Sequence, residues 1–323
     1  MNLHVGALSP QPDDVRSRSD FAADVIAGLS DHPKHLAPKY FYDERGSELF
    51  EAITALPEYY PTRTELAILR DNAAAIARHC PQDSVLIEFG TGSTAKARII
   101  LEAAANVTGY VPVDISAQFL AREAAQLQRD LPTLEVFPVA ADFTQDFELP
   151  AQLRGCPRVG LFPGSTIGNF EPHEAARFLR HAAQLLGSGA SLIIGVDLVK
   201  DVEVLRAAYN DAAGVTAEFN LNVLHRINNE LGARVDVDTF RHCAFYNRER
   251  HRIEMHLAST VGQKIKVCGR TFDFRRGETI HTENSYKYTP DAFQCLAAGA
   301  GWRASELWTD ANTYFSVHAL TCG

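Results

Sequence analysis

Residues Ser84 to Arg98 read SVLIEFGTGSTAKAR. The apolar run Val85–Phe89 is long enough for a buried strand and too short for a helix. Gly90 and Gly92 supply a turn where backbone can approach a ligand without side-chain obstruction. From Thr94 to Leu101 the apolar residues return at helical spacing, with Ile99 and Ile100 inward. Strand, glycine turn and helix N-terminus make a cradle for a nucleotide-containing cofactor. Glu88, just before the turn, bears on which cofactor that is.

Working outward, strand and helix continue to alternate. NVTGYVPVDIS predicts a second strand ending at Asp114, AQFLAREAAQLQRDLP a helix, and LEVFPVAADF a third strand ending at Asp142. VGLFPGSTIGNF predicts a fourth strand, HEAARFLRHAAQLLGSG a glycine-closed helix, and SLIIGVDLV a fifth strand. Strands without polar alternation, spaced by helices, predict a parallel sheet covered on both faces. From Lys200 the rhythm changes to two helices ending at Gly232. RIEMHLAST, QKIKVCGRTFDF and GETIHTENSYKY then alternate at period two, as antiparallel strands with one solvated face do. A helix in TPDAFQCLAAGAGW leads to a terminal hairpin, RASELWTD and YFSVHALTC.

Upstream of the cradle, SDFAADVIAGLSD places Phe21, Val25, Ile26 and Leu29 on one helical face, with Ser19 or Asp20 as cap. The segment LAPKYFYDERGSELFEAITALPEYYPTRTE is dense in aromatics and is stopped by Pro61. It reads either as core packing or as a pocket wall. Thr62 and Glu65 have capping-box spacing for the helix that follows.

A length of 323 residues predicts one elaborated α/β domain or two domains, and 46% hydrophobic against 22% charged residues supplies ample core. The net charge of −9, with no Lys/Arg cluster, argues against a nucleic-acid partner. Six cysteines without close pairing predict reduced thiols and not a zinc site. The N-terminus has no apolar signal region, and no run approaches the roughly 18 apolar residues that span a bilayer, so a cytoplasmic, soluble protein is expected.

GTGSTA alone also satisfies a loose dinucleotide pattern. Several features favour S-adenosylmethionine instead. Glu88, Asp114 and Asp142 fall at the carboxyl edge of the sheet, where doubly wound folds bind ligands. Asp114 can accept both ribose hydroxyls, and Asp142 can take the adenine amino group with Phe143 as apolar support. The terminal hairpin is the habitual ending of the S-adenosylmethionine methyltransferase sheet. GSTIGNF, Gly164 to Phe170, is a further loop at that edge and lacks the lysine of a phosphate loop.

KYFYDERGSELFEAITALPEYYPTRTE, IEFGTGSTAKAR, YVPVDIS, FPGSTIGNF, the Tyr209 helix and HTENSYKY together resemble the histidine Nα-methyltransferases of ergothioneine biosynthesis over nearly the whole length. The resemblance implies an α/β protein with a Rossmann-like class I methyltransferase sheet, a terminal antiparallel hairpin and a second α+β domain. Residues 64–199 and 288–323 would bind S-adenosylmethionine, and 10–63 with 200–287 would recognise the substrate. Gly90, Lys96, Asp114, Asp142 and Phe143 would contact the cofactor. Tyr59, Asn169 and Tyr209 would hold the amino-acid backbone, Asn169 and Tyr209 at its carboxylate. Glu283 and Ser285 would hydrogen-bond the imidazole, with Asn284 and Tyr286 as variable flanks, and Tyr42 would lie beside the reacting amine. The implied reaction is three methyl transfers to the α-amino group of L-histidine, giving hercynine, by a monomer with no metal.

These residue types suit that chemistry. Methyl transfer needs an aligned, neutral amine and exclusion of water, and tyrosine hydroxyls such as Tyr42 and Tyr59 can accept from the amine N–H groups. Aromatic faces tolerate the growing cation. His242, His251 and His256 with Glu254 resemble a metal set, but strand alternation spreads them over two faces. Competing expectations are an N-methyltransferase for another aromatic amino acid, a dinucleotide oxidoreductase and a non-catalytic cofactor-binding module.

Overall fold

The computed structural model describes residues 13–323, with side chains from Ser19 onward, so positions 10–12 of the expected substrate domain lie outside the described residues. Helix α1 (Asp13–Ser30) precedes the short strand β1 (Lys34–His35). Ser19 and Asp20 lie inside α1 and so do not cap it; Phe21, Val25 and Leu29 are buried, Ile26 only partly. Helices α2 (Glu44–Thr54), α3 (Tyr60–Asp71) and α4 (Ala73–Ala77) follow. Pro61 opens α3 where it was expected to stop the chain, because the first turn of a helix has no use for the missing N–H. Glu65 therefore sits one turn inside α3, buried, and does not cap Thr62.

The decisive stretch folds as strand β2 (Ser84–Phe89), a turn and helix α5 (Ala95–Ala103). Then come β3 (Val107–Asp114), α6 (Ala117–Asp130), β4 (Glu135–Val136) and β5 (Val139–Ala140). The single third strand expected across LEVFPVAADF is these two pieces, both paired with β3. Pro138 lies between them and has no N–H for the ladder, and Asp142 falls beyond β5. Strand β6 (Arg158–Phe162), α7 (Pro172–Leu186) and β7 (Ser191–Asp197) complete the parallel set. A reciprocal capping box between Glu171 and Glu174 starts α7, and Gly187, at φ +94°, closes it.

Helices α8 (Val202–Tyr209) and α9 (Val215–Leu231) precede strands β8 (Phe240–Asn247), β9 (Arg252–Ser259), β10 (Gln263–Val267), β11 (Arg270–Phe274) and β12 (Thr279–Tyr286). Strand β8 was not expected. Its residues, FRHCAFYN, break the apolar alternation with Arg241, His242 and Asn247. Helix α10 (Pro290–Ala298), capped by Thr289, leads to the hairpin β13 (Trp302–Thr309) and β14 (Phe315–Cys322).

The chain divides into two compact units, described separately. The larger comprises Ser47–Thr216, Ala244–Glu254 and Asn284–Gly323. Its sheet has the order β13-β14-β7-β6-β2-β3-β4, with β5 also on β3. Strands β7, β6, β2, β3, β4 and β5 are parallel, and β14 runs antiparallel to both its neighbours. All six residues of β2 are buried because both faces are covered. Val85, Ile87 and Phe89 pack toward α7 and α10, through Phe178 and Phe293. Leu86 packs on the opposite side with Ile68, Ile76, Ile100 and Leu127. The sheet thus aligns the carboxyl ends of β2, β3, β6 and β7 along one edge.

The smaller unit comprises Met1–Gly46, Ala217–Cys243 and Met255–Glu283. Phe21 packs on Tyr40 (centroids 4.5 Å apart) and Phe41 on Phe219 (4.6 Å). Arg226 covers the Phe21 ring, and Lys34 pairs with Glu278. A four-stranded sheet, β1-β12-β9-β8, has three of its strands divided between the units. This division differs from the expected boundaries: 47–63, 200–216, 244–254 and 284–287 group with the larger unit. All six cysteines are free thiols. Among the described residues no helix is long and apolar enough to cross a membrane.

Candidate active site

At the turn after β2, Gly90 (φ +71°) and Gly92 (φ +49°) take left-handed backbone. A Cβ on Gly90 would stand 3.0 Å from the Phe143 ring, so this glycine answers both to conformation and to close approach. Gly90 and Thr91 donate to the Val113 carbonyl, at 2.8 and 3.2 Å, tying the turn to the end of β3. There the Asp114 carboxylate accepts from the Ser116 N–H (2.9 Å) and the Gly92 N–H (3.2 Å). Burial pushes the Asp114 carboxyl upward, against these N–H donors. Asp142 accepts from the Thr144 N–H (2.9 Å) and hydroxyl (2.5 Å). Phe143 is anchored edge-on against Phe162 and Phe178.

Two neighbours of the turn have roles their sequence positions did not disclose. Lys96 ion-pairs at 2.6 Å with buried Glu65, which also accepts from the Gly164 N–H at 2.9 Å. The pair ties α3, α5 and the loop after β6 together. Glu88 is fully buried in the sheet and accepts a hydrogen bond from the Tyr110 hydroxyl. Burial raises its pKa to about 8, so the group is largely a neutral acid at pH 7.

At the same edge of the larger unit, Tyr209 ends α8 and donates to Ser285 Oγ on β12 at 2.7 Å. Tyr59 lies edge-on to both Tyr209 (6.4 Å) and Phe50 (6.3 Å). Asn169 ends the short 3-10 helix Thr166–Asn169. That helix is fixed on one side by Gly168, where a Cβ would meet the Tyr286 carbonyl at 2.8 Å. On the other, Ser165, in left-handed backbone, accepts from the Asp197 N–H at 2.9 Å.

Beneath Tyr209 and Ser285 lies a charge cluster that sequence reasoning missed. Asp197, at the end of β7, is flanked by Lys287 (2.7 Å) and Lys200 (2.5 Å). Tyr60 donates to its carboxylate at 2.8 Å. The side chains of Asp197, Lys200 and Lys287 are each at most 3% exposed. Burial alone would raise the Asp197 carboxyl, but Lys287 and Lys200 outweigh it and hold it below the usual carboxylate range. Burial, with the neighbouring Lys287, lowers Lys200 to about 8 in spite of Asp197. An acid ending a wholly apolar strand in SLIIGVDLVK was the available signal.

In the smaller unit, Tyr42 lies edge-on to Phe219 at 5.8 Å. Its neighbour Asp43 accepts from the Gly46 N–H and the Asn222 amide, both at 2.7 Å. On β12 the Glu283 carbonyl lies 3.1 Å from His281 Nε2, and Thr282 donates to Asn220 Oδ1 at 2.7 Å. Strand alternation was expected to disperse the histidines. His256 stacks on His281, which lies outside that set, with centroids 4.6 Å apart, and His242 Nδ1 lies 2.9 Å from the Asn220 amide. Of the expected site residues, then, Tyr42 and Glu283 belong to the smaller unit. Tyr59, Gly90, Lys96, Asp114, Asp142, Phe143, Asn169, Tyr209 and Ser285 belong to the larger.

The edge of the larger unit has the chemistry of a site for adenosine with an amino-acid tail. A Cβ would fill the Gly90 cradle, and the carboxylates at the strand ends suit hydroxyl and amino donors better than phosphate. With the antiparallel strand next to β7, this defines a Rossmann-like class I methyltransferase that uses S-adenosylmethionine. A family model for a histidine-specific, S-adenosylmethionine-dependent methyltransferase matches residues 21–322, and the chain belongs to that family. It is 44% identical to a histidine N-alpha-methyltransferase of Mycobacterium tuberculosis, over 89% of this chain and 90% of that protein. It is 43% identical to the Mycolicibacterium smegmatis protein of the same name, with the same coverage. Ergothioneine biosynthesis protein 1 of Neurospora crassa is 31% identical over 90% of this chain and 33% of its own length. The dinucleotide reading of GTGSTA is thereby set aside.

Proposed function

We propose that the protein transfers three methyl groups from S-adenosylmethionine to the α-amino group of L-histidine, forming hercynine for ergothioneine biosynthesis. The observation that carries this is the 44% identity, across nearly the whole length, to a histidine N-alpha-methyltransferase. Residues 64–199 and 288–323 serve the cofactor, and 10–63 with 200–287 serve the substrate. Gly90, Lys96, Asp114, Asp142 and Phe143 hold S-adenosylmethionine, which when bound supplies an electrophilic methyl group on a sulfonium. Asn169 and Tyr209 take the substrate carboxylate, Tyr59 its backbone, and Glu283 with Ser285 its imidazole.

Tyr42 and Tyr59 accept from the amine N–H groups and present aromatic faces to the nitrogen as it becomes a quaternary cation. The amine must be neutral to attack, so binding has to favour its uncharged form or give its proton an exit. The protein acts as a cytoplasmic monomer on histidine and its mono- and dimethyl forms, without metal, nucleic acid or membrane. Incubation with histidine and S-adenosylmethionine should yield hercynine by mass spectrometry. Absence of methylated histidine overturns the reading, and preferential methylation of tryptophan transfers it to another aromatic amino acid.

A further inference from the structure

Lys287 is completely buried, and its ammonium has three N–H groups. It donates to Asp197 Oδ2 at 2.7 Å, Ser285 Oγ at 2.7 Å and the Tyr209 hydroxyl at 3.1 Å. All three donors are committed, and an ammonium accepts nothing in return. Ser285 Oγ also accepts from Tyr209. A serine oxygen has two lone pairs, so both are filled, and what remains to Ser285 is its own proton. If Tyr209 turns to a carboxylate, one lone pair opens, but the ammonium of Lys287 still donates to Ser285 at 2.7 Å and the serine proton is still available to a ring nitrogen.

We propose that Lys287 is a positioning residue that makes Ser285 a hydrogen-bond donor, so that the site selects a neutral imidazole through its unprotonated ring nitrogen. This rests on the function proposed above and deepens it. Ser285 is the only one of the two imidazole-facing residues that can supply a proton, since a Glu283 carboxylate can take only an N–H. Glu283 alone would accept indole, pyrrole or imidazolium as readily as neutral imidazole. A donating Ser285 excludes all three, because none offers a nitrogen lone pair in the ring plane.

Asp197 keeps the arrangement fixed by pairing with Lys287 at 2.7 Å, with Lys200 and Tyr60 on its other sides. The titratable groups around Ser285 and Lys287 are Asp197 and Lys200 from β7 and the turn after it, Tyr60 from α3, Tyr209 from α8 and Tyr246 from β8.

The test compares histidine with β-(pyrrol-2-yl)alanine, which keeps a ring N–H and lacks the acceptor nitrogen. In the unaltered enzyme kcat/KM should favour histidine by about tenfold or more, the effect of a donor left unpaired in a buried site. Lys287→Met and Ser285→Ala should both shrink that preference to a few-fold, chiefly through KM for histidine, and Lys287→Arg should restore part of it. A folded Lys287→Met enzyme with undiminished preference overturns the proposal.

A second measurement needs no variant. The ratio of histidine affinity to pyrrole-analogue affinity for the unaltered enzyme should fall roughly tenfold per pH unit below the imidazole pKa of about 6.5, because the α-amine titrates alike in both compounds. An equal ratio at pH 5.5 and 7.5 overturns the proposal. An unaltered enzyme that methylates neither compound defeats the underlying function instead.

Discussion

Glu88 and Asp197 occupy comparable places in one sheet. Both are fully buried carboxyls near the carboxyl ends of parallel strands, β2 and β7. Their chemistry is opposite. Glu88 has a tyrosine hydroxyl for company, and burial raises it to about 8. Asp197 has two ammonium groups and a tyrosine, and stays an anion. Depth of burial does not fix the charge of an acid; the partners that share the depth do. The neutral acid ties β2 to Tyr110 of β3, and the ionised one holds Tyr60 directly and, through Lys287, Ser285 and Tyr209.

The largest test of this contrast is Asp197→Asn. It leaves two ammonium groups buried without a counter-charge and should cost about 3–5 kcal/mol in urea denaturation. Replacing Lys287 by Met in the same chain should recover part of that loss. A cost near zero would mean that the cluster is wetter than its geometry shows.

Glu88→Gln should be far milder at pH 7, because it replaces a neutral acid with a neutral amide. Its signature is pH dependence. Between about pH 5 and 8 the folded group keeps a proton that the unfolded one has released, so stability falls as pH rises through this window. The Gln variant lacks this decline, and by pH 8 it should be ahead of the unaltered protein by about 1–3 kcal/mol in denaturant titrations.

Lys200→Met is the smallest test. Lys200 loses its proton near pH 8 in the fold and only near 10.5 when unfolded, so the unaltered protein gains stability as pH rises between these values. The Met variant should lack that gain, a difference of about 1 kcal/mol between thermal melts at pH 8 and pH 9.

The sheet was legible because its signal is local. Val85–Phe89 and SLIIGVDLV are short apolar runs bounded by glycine or acid, and the terminal hairpin is marked by its polar turn. The broken third strand was not, because Pro138 acts through a ladder whose partner lies elsewhere in the sequence. Gly90, Asp114 and Phe143 could be placed at one edge because each ends a strand or follows one within a few residues. Lys287 could not. In HTENSYKY it reads as a solvated charge at the end of an alternating strand, and only the arrival of Asp197 from β7 makes its burial tolerable. Glu65 failed for the same reason: capping spacing is a property of neighbours, and its true partners, Lys96 and Gly164, are distant in sequence.

Strand β14 is inserted beside β7 although the helices α8 and α9, the strands β8 to β12 and α10 all intervene. During synthesis β7 therefore emerges with one edge unpaired and must wait while all of that chain is translated. An apolar strand with an open ladder is the form of nascent chain most prone to pair with a neighbour on the same polysome. Codon usage and chaperone engagement across 198–314 therefore bear on yield more heavily than equivalent changes upstream of β7, where the longest wait, that of β2 for β6, covers only 90–157.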